Sequence, residues 1–247
     1  MLYSGHARTF AHLVENHWFR VLRRLPAPTV FASVVDDPQA EDLRLLTRFL
    51  SWEKLVFEKV TQPQIPEPPV TSKFHAGYPV TASPQAILRQ LWHLGRVWDF
   101  FQEKKAYDFD IIVRIRPDSC FFGDLNLSSL LRKSATIPSS NEMPKNDVFT
   151  PWWARWGGIN DRFAIMGPNA ADSYFSVFES RNYLFQQGCP LHPETMLNTH
   201  LRAQGVRVHT NLKLEFAPLR MPDERHPEPW LDQLQISPID LADYRAA

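Results

Sequence analysis

Apolar positions along this chain recur with two periods, and the switches between them outline the elements. Residues 1–4 form a short apolar run ending at Gly5, after which Phe10, Val14, Trp18, Val21 and Leu25 recur at helical spacing. Residues 29–35 are a continuous run rich in β-branched side chains, the signature of a buried strand. It stops at Asp36-Asp37-Pro38, where Asp37 can cap a helix with Pro38 in its first turn and Leu43, Leu46 and Leu50 on its buried face. Residues 55–60 read as a third strand. The alternation of strand and helix predicts an α/β fold with a mainly parallel central sheet and helices on both faces.

A proline-rich segment, 62–83, breaks the pattern and is either a functional lid or a wandering surface loop. Ser83-Pro84 then opens a long helix with Ile87, Leu91, Leu94, Trp98 and Phe101 on one face, ending near Glu103-Lys104-Lys105. Residues 109–115 are apolar for most of their length, as a central parallel strand buried on both faces must be, with Arg116 and Asp118 at its carboxyl end. After a polar stretch, 128–146, short strands are expected at 148–149 and 163–166, helices after Pro168 and Pro193, and strands near 206–209 and 212–216 to finish the sheet. The expected organisation is one domain over residues 1–220, with a proline-rich C-terminal tail, 221–247, packed on or near it.

At 247 residues the length suits one large core. Lysine plus arginine equals aspartate plus glutamate at 27 each, so no global positive field recruits nucleic acid, and a polyanionic partner must be small or locally bound. No stretch approaches the ~20 uninterrupted apolar residues of a membrane span, which leaves peripheral membrane contact open. The start of the chain has no basic, apolar and small-residue leader pattern. The two cysteines, Cys120 and Cys189, are too few for a disulfide framework. These features predict a cytoplasmic protein.

In open α/β sheets ligands bind beyond the carboxyl ends of the strands, which selects Gly5, His6 and Arg8 after the first strand, Asp36 after the second, Arg116 and Asp118 after the central one, and Glu194 at the start of a late helix. Gly5 permits close backbone approach, the following helix offers free N–H groups, and Arg8 can form charge-assisted bonds to a diphosphate; the alternative is a turn glycine and a surface charge. Neither a Gly-x-x-x-x-Gly-Lys-Ser phosphate loop nor a Gly-x-Gly-x-x-Gly fingerprint is present, which weakens kinase and dehydrogenase readings. Asp118 can hold Mg²⁺ or Mn²⁺ against two phosphates, or else pair structurally with Arg116. Asp108 and Asp110 also spell Asp-x-Asp, but they precede the apolar run and belong to the opposite edge of the sheet. Asp161 can accept hydrogen bonds from sugar hydroxyls, and Trp152, Trp153 and Trp156 offer flat faces to sugar rings or else pack in the core. Glu194, in a first helical turn, can be a general base or simply good helix chemistry. His209 and His226 are weaker candidates for a metal site.

Four blocks carry a resemblance: Ser4-Gly5-His6-Ala7-Arg8-Thr9-Phe10, Arg114-Ile115-Arg116-Pro117-Asp118, Gly158-Ile159-Asn160-Asp161-Arg162-Phe163-Ala164 and His192-Pro193-Glu194. In this order they resemble bacterial glycosyltransferases of the GT-A (Rossmann-like) fold, the small enzymes associated with surface polysaccharide and lipopolysaccharide synthesis. The resemblance implies a nucleoside-diphosphate sugar as donor and a hydroxyl of a saccharide or glycoconjugate as acceptor. Taken with the residue positions, the expected donor contacts are Gly5, His6, Arg8, Asp36, Arg116 and Arg220, the expected acceptor contacts Trp153, Trp156 and Asn160, and the expected catalytic residues Glu194 and Asp161; in the resembled enzymes a carboxylate at the position of Glu194 is a usual base. The Asp-x-Asp of the metal-dependent members reads Arg116-Pro117-Asp118 here, one carboxylate, so a divalent Mn²⁺ or Mg²⁺ at Asp118 is an expectation to be tested. Two other readings stay open: a non-catalytic carbohydrate-binding or scaffolding protein on the same fold, and a sugar nucleotidyltransferase, which would normally carry a glycine-rich basic loop after its first strand.

Overall fold

A computed structural model describes residues 1–66, 68, 83–106, 108–129 and 143–220, together with the backbone of Trp230–Leu231. The tail expected over 221–247, including His226, lies almost wholly outside the described residues, as do most of the proline-rich segment and most of the polar stretch before residue 146.

Period-2 alternation in the strands sends successive side chains to opposite faces of one sheet. Met1 and Tyr3 enter one buried cluster and Leu2 the other; Val113 and Ile115 join the first and Ile112 the second; Phe163 and Ile165 face away from Ala164 and Met166. Strands β1 (Leu2–Gly5), β2 (Val30–Val35), β3 (Leu55–Val60) and β4 (Ile112–Ile115) are buried along nearly all their length except the outer β3. Strands β6 (Asp147–Pro151), β7 (Phe163–Met166) and β8 (Arg207–Leu212) complete a seven-stranded sheet of order β3-β2-β1-β4-β7-β6-β8. All neighbouring pairs are parallel except the two made by β7. This is an α/β fold with a mainly parallel sheet, as the alternation of periods predicts.

Helix α1 (Phe10–Arg20) covers the first face, and α2 (Pro84–Lys104), α3 (Pro168–Phe175), α4 (Arg181–Gln186) and α5 (Pro193–Ala203) contribute to the cluster on the second. Ser83 caps α2 by accepting from the Ala86 N–H at 3.2 Å, and Gly205, at φ +68°, follows the end of α5 in a left-handed conformation that suits glycine.

Several expectations are corrected. Residues Pro38–Arg48 form a 3₁₀ run, not an α-helix. The buried Ala40, Leu43 and Leu46 recur every third residue, the repeat of a three-residue turn. Asp37 does not cap it by its side chain, which instead meets His6. The strand expected over 109–115 is confined to Ile112–Ile115. The strand expected near 212–216 is β9 (Phe216–Arg220), which lies outside the main sheet. It pairs antiparallel with β5 (Ser119–Phe121) and with β10 (Trp230–Leu231) in a separate three-stranded sheet. Chain order places β4 on the side of β1 opposite β2 and β3, so the sheet has its switch point between β1 and β4.

Candidate functional site

At that switch point, beyond the carboxyl ends of β1 and β4, lies a cavity of about 390 Å³. Gly5, His6 and Arg8 reach it from the end of β1, Arg116 and Asp118 from the end of β4, and Arg220 from β9. Gly5 has φ +104° with open space where a Cβ would project, so a side chain there would strain the backbone and fill the opening. Helix α2 supplies Arg89, Gln90 and His93 from a second side of the cavity. Buried Arg114 rises from within β4.

The charge of this cavity is one-sided: among the described residues Arg8, Arg89, Arg114, Arg116 and Arg220 line it against a single carboxylate, Asp118. Arg116 forms a fork onto Asp118, Nε to Oδ1 at 2.9 Å and Nη2 to Oδ2 at 2.6 Å, and Arg220 Nη1 donates to Oδ2 at 3.3 Å. Burial works to raise the Asp118 carboxyl, but the charge and hydrogen bonds of Arg116, with Arg220 and Arg162, outweigh it and hold the group below its ordinary value. Burial lowers the Arg114 guanidinium to about 10, so it stays charged at neutral pH. Several buried polar atoms in the lining have no hydrogen-bond partner among the described residues: Ser4 Oγ, Thr9 Oγ1, Arg89 Nε, Arg114 Nε and His93 Nδ1. Such orphaned groups in a cationic cavity suit an anion with many acceptor oxygens.

A buried network fixes the turn that carries Asp118. His17 Nε2 lies 2.6 Å from the Ser119 carbonyl and must donate to it, so His17 Nδ1 accepts from the Tyr3 hydroxyl at 2.9 Å. Burial lowers the ring to about 4, consistent with this neutral tautomer. Asn16 adds a reciprocal pair with Phe121, donating to its carbonyl and accepting from its N–H, both at 2.8 Å. Helix α1 thus clamps β5 against β1. On the other flank His6 Nδ1 lies 3.1 Å from Asp37 Oδ2, and Gln62 stands 3.2 Å from both His6 and His93.

A second, buried layer lies behind Gln90. The Gln90 amide donates to Asp161, and Asp161 and Glu194 are both within electrostatic reach of Arg116. Asn160 holds this loop: its Oδ1 accepts from the Arg162 and Phe163 N–H groups and its Nδ2 donates to the Trp153 carbonyl. Gly158 seats the loop on the start of α5, where Ile159 N–H donates to the Glu194 carbonyl at 3.2 Å. Burial, and then the negative Asp161, raise the Glu194 carboxyl to about 8. Its first-turn position, expected to favour the anion through the helix dipole, is therefore overridden by desolvation. Glu194 Oε2 lies 3.2 Å from His192 Nδ1 but makes no hydrogen bond of good geometry.

Of the residues expected from sequence, the structure brings Gly5, His6, Arg8, Arg116, Asp118 and Arg220 to one cavity. Asp36 does not line it; its side chain is exposed and faces Lys59 at 3.7 Å. Trp153 is buried, with Nε1 donating to the Leu214 carbonyl and its ring 4.6 Å from Phe216, and Asn160 is fully buried, so neither presents a face to the cavity. Trp156 is half-buried with φ +43°, beside Gly157 at φ +80°, in a strained turn. His209 pairs with Asp147 at the opposite edge of the sheet, and Asp108, paired with Lys105, lies on that edge too. Gln62, Arg89, Gln90, His93 and Arg114 line the cavity as well, although no motif marks them in the sequence. An arginine inside the apolar run 111–115 was the available signal for the last, and the helical spacing of Ala86, Arg89, Gln90 and His93 for the α2 residues.

No helix among the described residues is long and apolar enough to cross a membrane. No family model matches the chain, and no curated protein matches it. Among solved structures it is similar to mouse xyloside xylosyltransferase 1 in its apo form, at 11% identity and a TM-score of 0.44, over 84% of this chain and 82% of that one. At that level the likeness bears on neither activity nor individual residues.

Proposed function

We propose that this chain is a GT-A-like glycosyltransferase that takes a nucleoside-diphosphate sugar into the switch-point cavity and transfers the sugar to a hydroxyl of a saccharide or glycoconjugate. The observation that carries the reading is the cavity at the carboxyl ends of β1 and β4, lined among the described residues by five arginines and one carboxylate. In it Gly5 lets the backbone approach the phosphates, while Arg8, Arg116 and Arg220 offset the charge that grows on the departing diphosphate.

Gln90 stands between the cavity and Asp161. An acceptor hydroxyl that replaces the Gln90 amide at this carboxylate loses its proton to Asp161 as it attacks the sugar carbon. Glu194, carrying its proton at neutral pH, holds the other end of the buried pair. Asn160 and Trp153 position this loop, and Trp156 contacts the acceptor. The test is release of nucleoside diphosphate from a panel of nucleotide sugars, with and without saccharide acceptors. Release that requires Arg116 and Asp161 supports the reading; no release from any donor refutes it. The closure of Asp161 and Glu194 beneath Gln90 favours, as a second reading, a protein that binds such a ligand without turnover, whose signature is saturable nucleotide binding with no release.

A further inference from the structure

The divalent ion expected at Asp118 meets a donor set that does not fit it. Mg²⁺ and Mn²⁺ are held by several oxygen ligands, usually one or two carboxylates with substrate phosphates and water. Here both oxygens of Asp118 already accept from guanidinium groups, Oδ1 from Arg116 and Oδ2 from Arg116 and Arg220. Among the described residues no second carboxylate lines the cavity, and five arginines do. A divalent cation there would have to displace two positive groups from the carboxylate and then sit among them.

The same geometry suits a different role. A guanidinium fork binds carboxylate and phosphate oxygens in the same bidentate manner. We propose that Asp118 is an internal stand-in for a phosphate: it holds Arg116 and Arg220 in place while the cavity is empty, and an incoming diphosphate takes over their hydrogen bonds without a divalent metal. This rests on the reading of the cavity as a nucleotide-sugar donor site. The His17 and Asn16 network fixes the backbone that follows Asp118, so the guanidiniums rather than the carboxylate change partner. Arg220 is anchored on β9 and only partly exposed, lines the cavity and reaches Asp118 at 3.3 Å. The orphaned Arg89 and Arg114 Nε donors and the Ser4 and Thr9 hydroxyls supply the remaining contacts to a group with many acceptor oxygens. The excess of arginine over carboxylate offsets the charge that a metal would otherwise neutralise.

The test is calorimetric titration of inorganic pyrophosphate into the full chain, first in EDTA and then in Mn²⁺ or Mg²⁺, with nucleoside diphosphates as a parallel series. The expected result is saturable binding in EDTA that the metal does not tighten. Asp118→Asn removes the competing charge and is expected to strengthen binding by about tenfold. Arg220→Gln is expected to weaken it by about ten- to a hundredfold, the range for loss of a charge-assisted hydrogen bond, and this variant decides the matter if Asp118→Asn fails to fold. Binding that appears only with metal, or an Asp118→Asn variant that folds but binds no tighter than the wild type, overturns the stand-in role and leaves the donor reading intact. Absence of binding by pyrophosphate and by every nucleoside diphosphate, in both conditions, overturns the donor reading itself.

Discussion

Substituting Gly158 by alanine tests the seating of the Asp161 loop on helix α5. A Cβ at this position would stand 2.0 Å from the Glu194 carbonyl oxygen, 2.2 Å from its carbon and 2.5 Å from the Thr195 nitrogen. All three are backbone atoms, so no side-chain rotation relieves the clash and the loop must move off the helix by about an ångström or more. Such overpacking typically costs about 1–3 kcal/mol, and the Ile159 to Glu194 hydrogen bond lost with it about 1 kcal/mol. The lower entropy of alanine in the unfolded chain returns about 0.4–1 kcal/mol. The net loss is about 1–3.6 kcal/mol, a fall in melting temperature of roughly 2–14 °C for a chain of this size. Gly123→Ala is the control, because among the described residues no atom lies within 4 Å of the point where its Cβ would stand and its φ is not left-handed. Urea unfolding followed by tryptophan fluorescence, with nucleoside diphosphate release on the same samples, reads both effects. A Gly158→Ala variant within about 0.5 kcal/mol of wild type, the usual range for an innocuous surface change, would refute the described packing.

Burial and Asp161 raise the Glu194 carboxyl from 4.5 to about 8, so its protonated form stabilises the fold fully below 4.5 and this contribution is lost as pH rises through about 8. Glu194→Gln, which mimics the protonated form, should lose less stability than wild type between about pH 4.5 and about pH 8 in urea titrations; parallel profiles contradict the assignment. Burial lowers His17 from 6.5 to about 4, so its contribution is present above 6.5 and lost as pH falls through about 4, of the order of 3 kcal/mol in all. His17→Gln should therefore show a shallower acid limb than wild type, and an unchanged limb excludes the buried neutral ring. Asp161→Asn should cut turnover by about 10²–10⁴-fold while leaving nucleotide affinity nearly unchanged, whereas collapse of donor affinity would make Asp161 a donor ligand. Asp108→Asn and Asp110→Asn, exposed and remote from the cavity, should leave nucleotide affinity at the wild-type value in the same titrations.

The strands and the ligand edge were legible because both depend on local pattern. The run 29–35 can only be a buried strand, and Arg116 and Asp118 follow an apolar run whose direction fixes which edge they reach. The 3₁₀ run was not legible by counting apolar residues at helical spacing, since Leu43 and Leu46 fit a repeat of three as well as one of 3.6. The placement of β9 beside β5 depends on pairing between residues about a hundred positions apart, which no window in the sequence records. The roles of Trp153 and Asn160 depend on burial: a tryptophan in a glycine-containing loop looks exposed until its Nε1 is seen to meet the Leu214 carbonyl. For Glu194 the sequence shows the favourable helix position but not the desolvation that opposes it.

The central claim is that the arginine-lined cavity between β1 and β4 receives the diphosphate of a nucleotide sugar. A crystal structure of the protein with a bound nucleoside diphosphate tests it most directly. The account predicts phosphate oxygens within hydrogen-bond distance of Arg116 and Arg220, close to the backbone at Gly5, with Asp118 released from at least one of its guanidinium partners. A nucleotide bound elsewhere would contradict the claim, whereas one bound there with Asp118 still clasped by Arg116 and Arg220 would overturn only the stand-in role of Asp118.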